Sequence, residues 1–220
     1  LIQKVMRAAL GDLSPQAVVG VGIGVAGAAA SHSADWLMEV VRAVLPQAQV
    51  APSADYEIAL MGALGERQGL LVLAGTGALA YGVNAAGESA LVGGWGYLLG
   101  DEGSGYWLGL EGLRAVLRAA DGRGPETALT TSLLPALGLE GARALIPWLY
   151  RSAMLRTPQV ASLAPLVLAA ARLGDLCAAE IVARGAQELA LAAHAVMRRL
   201  ALSAPRIAFA GGLLSTPNPL

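Results

Sequence analysis

Four groups of residues in this chain have types and spacing suited to chemistry. Gly75-Thr76-Gly77 follows directly on the apolar run Leu70 to Ala74. Glycines let a backbone turn tightly and bring its N–H groups to an anion, and a threonine hydroxyl adds one more donor to a phosphate oxygen. The same three residues also make an ordinary hairpin turn, and spacing alone does not choose between the two. Gly93-Gly94-Trp95-Gly96, with Gly100-Asp101-Glu102-Gly103-Ser104-Gly105-Tyr106-Trp107 beyond it, forms the second group. Its carboxylates can accept hydrogen bonds from sugar hydroxyls, and its exposed indole offers an apolar platform for a pyranose face. Asp101 or Ser104 could instead cap the following helix, which accounts for a single position. Asp55 stands where a short strand passes into a helix, the place that points into the ligand crevice of open α/β sheets. Such a carboxylate can take the proton of a hydroxyl that attacks phosphorus, or simply cap the helix. Glu57, further into that helix, reads as a helix-dipole residue. The fourth group is Ala210-Gly211-Gly212, where small residues would let an adenosine lie flat on the backbone or mark a plain strand-to-helix turn.

The elements that must position these groups alternate between strand and helix, which argues for an α/β fold. Leu1 to Leu10 has helical spacing and stops at Gly11. Ala17 to Val25 is a continuous apolar run suited to a strand buried on both faces, followed by the small-residue turn Ala26-Gly27-Ala28. Ser31 can cap a helix whose apolar positions run from Trp36 to Val44 before Pro46. Gln47 to Val50 is predicted as a short strand, and Asp55 to Arg67 as a helix. Leu70 to Ala74, Leu79 to Val83 and Ser89 to Val92 are strands, the last two a hairpin around Asn84-Ala85-Ala86-Gly87. A helix follows from about Tyr106 to Ala120. Glu126 to Leu200 reads as helices separated by Pro147, Pro158, Pro165 and Gly174, and Arg206 to Ala210 closes the set as a strand. A domain boundary is expected near Gly69, giving 1–68 and 69–220.

Composition narrows the function classes. The chain has 220 residues, 15 basic and 16 acidic, so it carries no electrostatic footprint for nucleic acid or an anionic membrane. The longest apolar run, Ala17 to Ala30, is broken by Gly20, Gly22, Gly24 and Gly27 and falls short of the ~20 residues that cross a bilayer. Cys177 is the single cysteine, which rules out an internal disulfide or a cysteine-rich metal site and fits a reducing cytoplasm. His32 and His194 have no metal-like companions. The chain opens on Leu1 within a helical pattern, so an incomplete amino end is expected.

Taken in order, these pieces resemble the BadF/BadG/BcrA/BcrD and N-acetylglucosamine kinase branch of the actin-like ATPases. Ile23-Gly24-Val25-Ala26-Gly27 is similar to its first-domain strand and turn, and Gly93 to Trp107 matches its GGWG…GDEGSGYW segment nearly letter for letter. The resemblance implies two ribonuclease-H-like domains, the second with a helical insert, holding ATP and a sugar in the cleft between them. It implies Asp55 as general base toward the sugar hydroxyl and Gly75, Thr76 and Gly77 at the ATP phosphates. Gly94, Trp95, Gly96 and Asp101 would contact the sugar, and Gly185, Gly211 and Gly212 the nucleotide. Mg²⁺ would bridge the phosphates, with no dedicated protein metal site. The expected activity is an ATP-dependent sugar kinase acting on N-acetylglucosamine or a related hexose or amino sugar, as a cytoplasmic homodimer. The family's first phosphate hairpin, Asp-Gly-Gly-Gly-Thr, has no counterpart here, and its Ser and Asn after Gly77 are Ala78 and Leu79. Two alternatives stand beside this: an ATPase acting on a protein partner, and a non-catalytic sugar or nucleotide sensor.

Overall fold

The computed structural model describes residues 2–25, 35–150 and 153–214. It divides into two compact units, Leu1–Arg67 and Gln68–Leu220.

In the first unit, helix α1 (Ile2–Leu10) precedes strand β1 (Gly20–Val25), helix α2 (Asp35–Arg42), strand β2 (Gln49–Ala54) and helix α3 (Asp55–Leu64). The strand expected from Ala17 begins only at Gly20, because Pro15–Ala17 coils into a 3₁₀ turn. β1 and β2 pair in parallel, Gly24 opposite Ser53 and Val25 opposite Ala54. β2 starts later and runs further than the expected Gln47 to Val50, carrying Pro52 opposite Ile23. Among the described residues β2 has one partner, and such a strand tolerates proline because the missing N–H can fall on the unpaired side. Gly24 has a packing reason: a Cβ there would lie 2.5 Å from Ile58 Cγ1 and 2.8 Å from the Ala54 carbonyl. Its bare backbone lets α3 lie close to β1. α3 ends at Gly65, in the left-handed region at φ 73, whose N–H donates to the Met61 carbonyl at 2.8 Å. Val41, Val44, Leu45 and Ala48 form the core, with Met6, Leu10, Val21, Ile23 and Val50 around them. The turn at Ala26-Gly27-Ala28 and the cap at Ser31 lie outside the described residues.

The second unit is built on strands β3 (Gly69–Ala74), β4 (Ala78–Val83), β5 (Ser89–Gly93) and β6 (Ile207–Ala210). Their order is β5-β4-β3-β6, the first three antiparallel and β6 parallel to β3. One crossover thus leads from the antiparallel strands to a parallel fourth beside β3. Asn84 closes the β4–β5 hairpin by accepting the N–H groups of Ala86 and Glu88, each at 3.0 Å. The helices are α4 (Gly105–Ala120), α5 (Leu129–Ala136), α6 (Leu145–Tyr150), α7 (Ala153–Ala161), α8 (Ala164–Arg172) and α9 (Leu176–Arg199). Pro147 and Pro158 do not separate helices as expected but lie inside α6 and α7. Pro147 is in the first turn of α6, where its absent N–H has no acceptor within the helix.

α9 lies across the sheet, with Val196 and Leu200 against Leu70, Ala80 and Ala90. A Cβ on Gly82 would come 2.6 Å from Val196 Cγ1, so the helix approaches β4 because that position is glycine. A larger core joins the far side of α9 to α4, α5 and α8 through Leu108, Val116, Leu133, Val167 and Ile181. Asp175 caps α9 from the Ala178 N–H at 2.8 Å and also accepts the Ala128 N–H at 2.7 Å and the Thr127 hydroxyl, fastening the start of α5 to the start of α9.

Candidate functional site

The start of α3 is capped in a way the sequence reading did not foresee. Its N-cap is Ala54, which has no side chain to contribute. Glu57 instead reaches back, accepting the Ala54 N–H at 3.2 Å and the Ser53 hydroxyl. This is the returning half of a capping box, and its signal was a glutamate three residues past the cap position. Asp55 is therefore not the cap. It is the first helical residue, half-buried, and among the described residues its carboxylate takes no hydrogen bond.

The remaining expected residues belong to the second unit, and several converge at the end of β3. Gly75 and Gly77 close a tight turn, with the Gly75 N–H donating to the Gly77 carbonyl at 2.9 Å. Thr76 stands exposed at its tip. The outer carbonyls are used by the helix that follows: Gly105 N–H donates to Gly75 at 2.7 Å and Tyr106 N–H to Thr76 at 3.3 Å. Ser104, fully buried, caps the same helix by accepting the Trp107 N–H at 3.1 Å. From the other side, Gly211, at φ 91, presses against the Ala74 carbonyl and Gly75 N so closely that a Cβ would collide, and Leu213 N–H donates to Ala74 at 3.1 Å. Gly75 and Gly212 are open on their free sides, where a Cβ would meet nothing within 4 Å.

Asp101 sits at the centre of this knot. It is only 8% exposed, and it holds a left-handed backbone at φ 62, which Asp tolerates better than most residues. Its carboxylate accepts the backbone N–H groups of Ala78 and Gly96. Burial pushes its acidity down, raising the pKa above the usual carboxylate value, and neighbouring Glu102 adds to that, while the two N–H donors oppose it. The loop around it is stitched further by Gly94 N–H to the Ala78 carbonyl at 3.0 Å and by Ser104 N–H to the Asp101 carbonyl at 3.0 Å.

The two tryptophans of the segment have different surroundings. Trp107 lies beneath the Arg184 guanidinium at 5.2 Å, and Arg184 is held there by Glu111 at 3.1 Å. Trp95 is 75% exposed beside a cavity of about 280 Å³ lined by Leu79, Val92, Glu102, Glu188 and Leu191. Gly185, expected at the nucleotide, is buried on α9 against Gly103, Leu108 and Trp107. A Cβ on Gly103 would lie 2.6 Å from its carbonyl, so close packing of loop on helix accounts for both glycines. No group of three His, Cys, Asp or Glu among the described residues could hold a metal ion unaided. No described helix is long and apolar enough to cross a membrane.

The second unit thus offers an exposed hydroxyl, open glycine backbone and an exposed indole on loops joined by one buried carboxylate. The first unit offers an uncommitted carboxylate at a helix start. A hydroxyl of this kind can donate to an anion, an exposed indole can cover the apolar face of a ligand, and a carboxylate without a hydrogen bond can accept a proton.

Comparison with known proteins gives the same direction. The sequence pattern of the BadF/BadG/BcrA/BcrD ATPase family matches residues 1–218. The chain is 34% identical over 224 residues to an N-acetylmuramic acid/N-acetylglucosamine kinase of Clostridium acetobutylicum, covering 100% of this chain and 73% of that one. It is 40% identical over 141 residues to an N-acetyl-D-glucosamine kinase of Dictyostelium discoideum, covering 64% of this chain and 44% of the relative. A Chromobacterium violaceum structure, solved as a candidate N-acetylglucosamine kinase, superposes with a TM-score of 0.78 at 30% identity, over 96% of this chain and 72% of that one. A Porphyromonas gingivalis structure solved under the same description has a TM-score of 0.66 at 22% identity, over 94% and 81% of the two chains, and speaks for the fold alone.

Proposed function

Because the chain belongs to the BadF/BadG/BcrA/BcrD ATPase family, we propose that it is an ATP-dependent sugar kinase acting on N-acetylglucosamine or a closely related amino sugar. The observation that carries the reading is the junction of the Gly75–Gly77 turn with the Gly93–Gly105 loop, which presents Thr76 and Trp95 outward from one buried knot.

In this reading Asp55 accepts the proton of the attacking sugar hydroxyl, as its freedom from capping duty allows. Thr76 Oγ1 donates to a phosphate oxygen, and Gly75, where a Cβ would meet nothing within 4 Å, leaves room for the phosphate to approach the turn. Bound ATP supplies the phosphoryl group, with Mg²⁺ on its phosphates neutralising charge. The open flank of Gly212 fits the close approach of a nucleotide to the backbone, as small residues there were expected to do. Gly94, Trp95 and Gly96 face the sugar, the indole covering its apolar side. Gly185 and Gly211 complete the nucleotide side of the proposal, beside the packing that already calls for glycine at both positions. A cytoplasmic homodimer completes the proposal.

The test is a screen of hexoses and N-acetylhexosamines with coupled ADP detection. Sugar-dependent ADP release, strongest with an N-acetylhexosamine, is the expected result. ATP hydrolysis indifferent to every sugar would transfer the reading to an ATPase that acts on a partner protein. Sugar binding by calorimetry with no phosphorylated product would reduce the chain to a sensor.

A further inference from the structure

We propose that Asp101 is a positioning residue that couples nucleotide affinity to the sugar loop, rather than only one more sugar contact. The inference rests on the reading of the Gly75–Gly77 turn as a phosphate site.

Four features point to it. The carboxylate is buried and takes backbone N–H groups from two separate segments: Ala78, the first residue of β4 after the phosphate turn, and Gly96, in the sugar loop. A carboxylate suits this because it is acceptor-only and can take N–H groups on both oxygens. One oxygen, Oδ2, also lies 2.9 Å from the point where a Cβ on Gly77 would stand. Gly77 is thus glycine at least partly because Asp101 fills the space beside it, and a longer acidic side chain would have no room. Finally, the Asp101 backbone is held in the left-handed region, and its carbonyl accepts the Ser104 N–H at the entrance to α4. The first N–H groups of α4 in turn hold the carbonyls of Gly75 and Thr76. Removing the carboxylate therefore loosens the turn through Ala78, while the α4 entrance stays tied by the Asp101 backbone.

The experiment uses the full chain and the variant Asp101→Asn. Asparagine also tolerates the left-handed backbone, so the change isolates the acceptor. Affinity for a non-hydrolysable ATP analogue is measured by calorimetry in the absence of sugar, alongside the KM for the sugar. Coupling predicts a loss of nucleotide affinity of roughly tenfold, the scale of a lost charge-assisted hydrogen bond, together with a raised sugar KM. Gly77→Ala, which crowds the same carboxylate without removing it, should give the same pair of losses and serves if Asp101→Asn does not fold. Asp175→Asn, which loosens the α5–α9 junction of the same unit, should leave both affinities unchanged. If it lowers them equally, the Asp101 effect is mere loss of stability and the inference fails. A raised sugar KM with normal nucleotide affinity in Asp101→Asn would also overturn it. Thr76→Val separates the underlying reading: nucleotide binding weakened there but normal in Asp101→Asn sinks the coupling alone. Binding normal in both sinks the phosphate turn as well.

Discussion

Two helix starts carry the aspartates singled out by the sequence, and they treat them in opposite ways. At α3 the structural work is done by Glu57, which accepts both the Ala54 N–H and the Ser53 hydroxyl and leaves Asp55 without a hydrogen bond among the described residues. At the approach to α4 the aspartate itself is consumed, its carboxylate turned inward onto Ala78 and Gly96, while Ser104 does the capping. A carboxylate near a helix start is available for chemistry only where some other group has taken over the orphan N–H donors. The motif shows that an acid is present, and the neighbours decide whether it is free.

The largest effect should come from the free acid. Asp55→Asn is expected to cut turnover by about 10²–10⁴, or roughly 3–5 kcal/mol of barrier, with modest change in ATP affinity. Steady-state kinetics of the full protein measures it, and near-normal turnover would erase the contrast by making Asp55 as inert as a cap. Next is Gly211→Ala, which forces a Cβ against the Ala74 carbonyl from a backbone at φ 91. It should lower stability by about 1–3 kcal/mol, read from urea unfolding, because the colliding atom is backbone and cannot rotate away. An unchanged midpoint would mean the end of β3 is more pliant than the knot around Asp101 requires.

Acid titration sharpens the contrast among carboxylates. Burial opposes ionisation of Asp175, but the N–H groups of Ala178 and Ala128 and the Thr127 hydroxyl outweigh it and hold its pKa below the usual value. Its contribution is therefore present above the ordinary carboxylate pKa and is lost as pH falls through the lowered one. Asp101, raised by burial, acts in the opposite sense: its ionisation costs stability as pH rises from the ordinary value through the raised one. Asp175→Asn should flatten the acid-side fall in melting temperature, and an unaltered pH profile would show that the α5–α9 tie does not depend on charge. The smallest expected effect is Glu57→Ala, about 1 kcal/mol from the lost cap, with Glu57→Gln retaining most of it because glutamine can also accept the Ala54 N–H. Thermal melts of the three proteins decide it, and equal losses for Ala and Gln would mean that charge, not the hydrogen bond, holds that helix start.

Much of this was readable in the residues. The alternation of strands and helices, the hairpin around Asn84 and the helix starting beside Ser104 follow from local pattern, because each is set by neighbours within a few positions. What could not be read is set by distant contacts. Nothing near Gly185 in sequence says that its carbonyl lies against Gly103, and nothing near Gly77 says that a carboxylate fills the space beside it. Proline misled for a related reason. Pro147 marks a helix boundary by propensity, yet in the first turn its missing donor costs nothing. The extent of β2 escaped as well: Gln47 to Val50 was expected, and the strand runs over Gln49–Ala54 with Pro52 in register opposite Ile23.

One feature of α9 reaches further than packing. Its 24 residues make a rod of about 36 Å. Toward its middle, Gly185 is wedged against the loop at Gly103; at its last residue, Arg199 donates to the Leu91 carbonyl on β5 at 3.2 Å. The helix therefore ties the loop at Gly103 to the outer strand of the sheet, and a displacement of the loop would bear on that strand through it. Occupancy of the loop would then be felt as tension at a strand remote from any bound molecule.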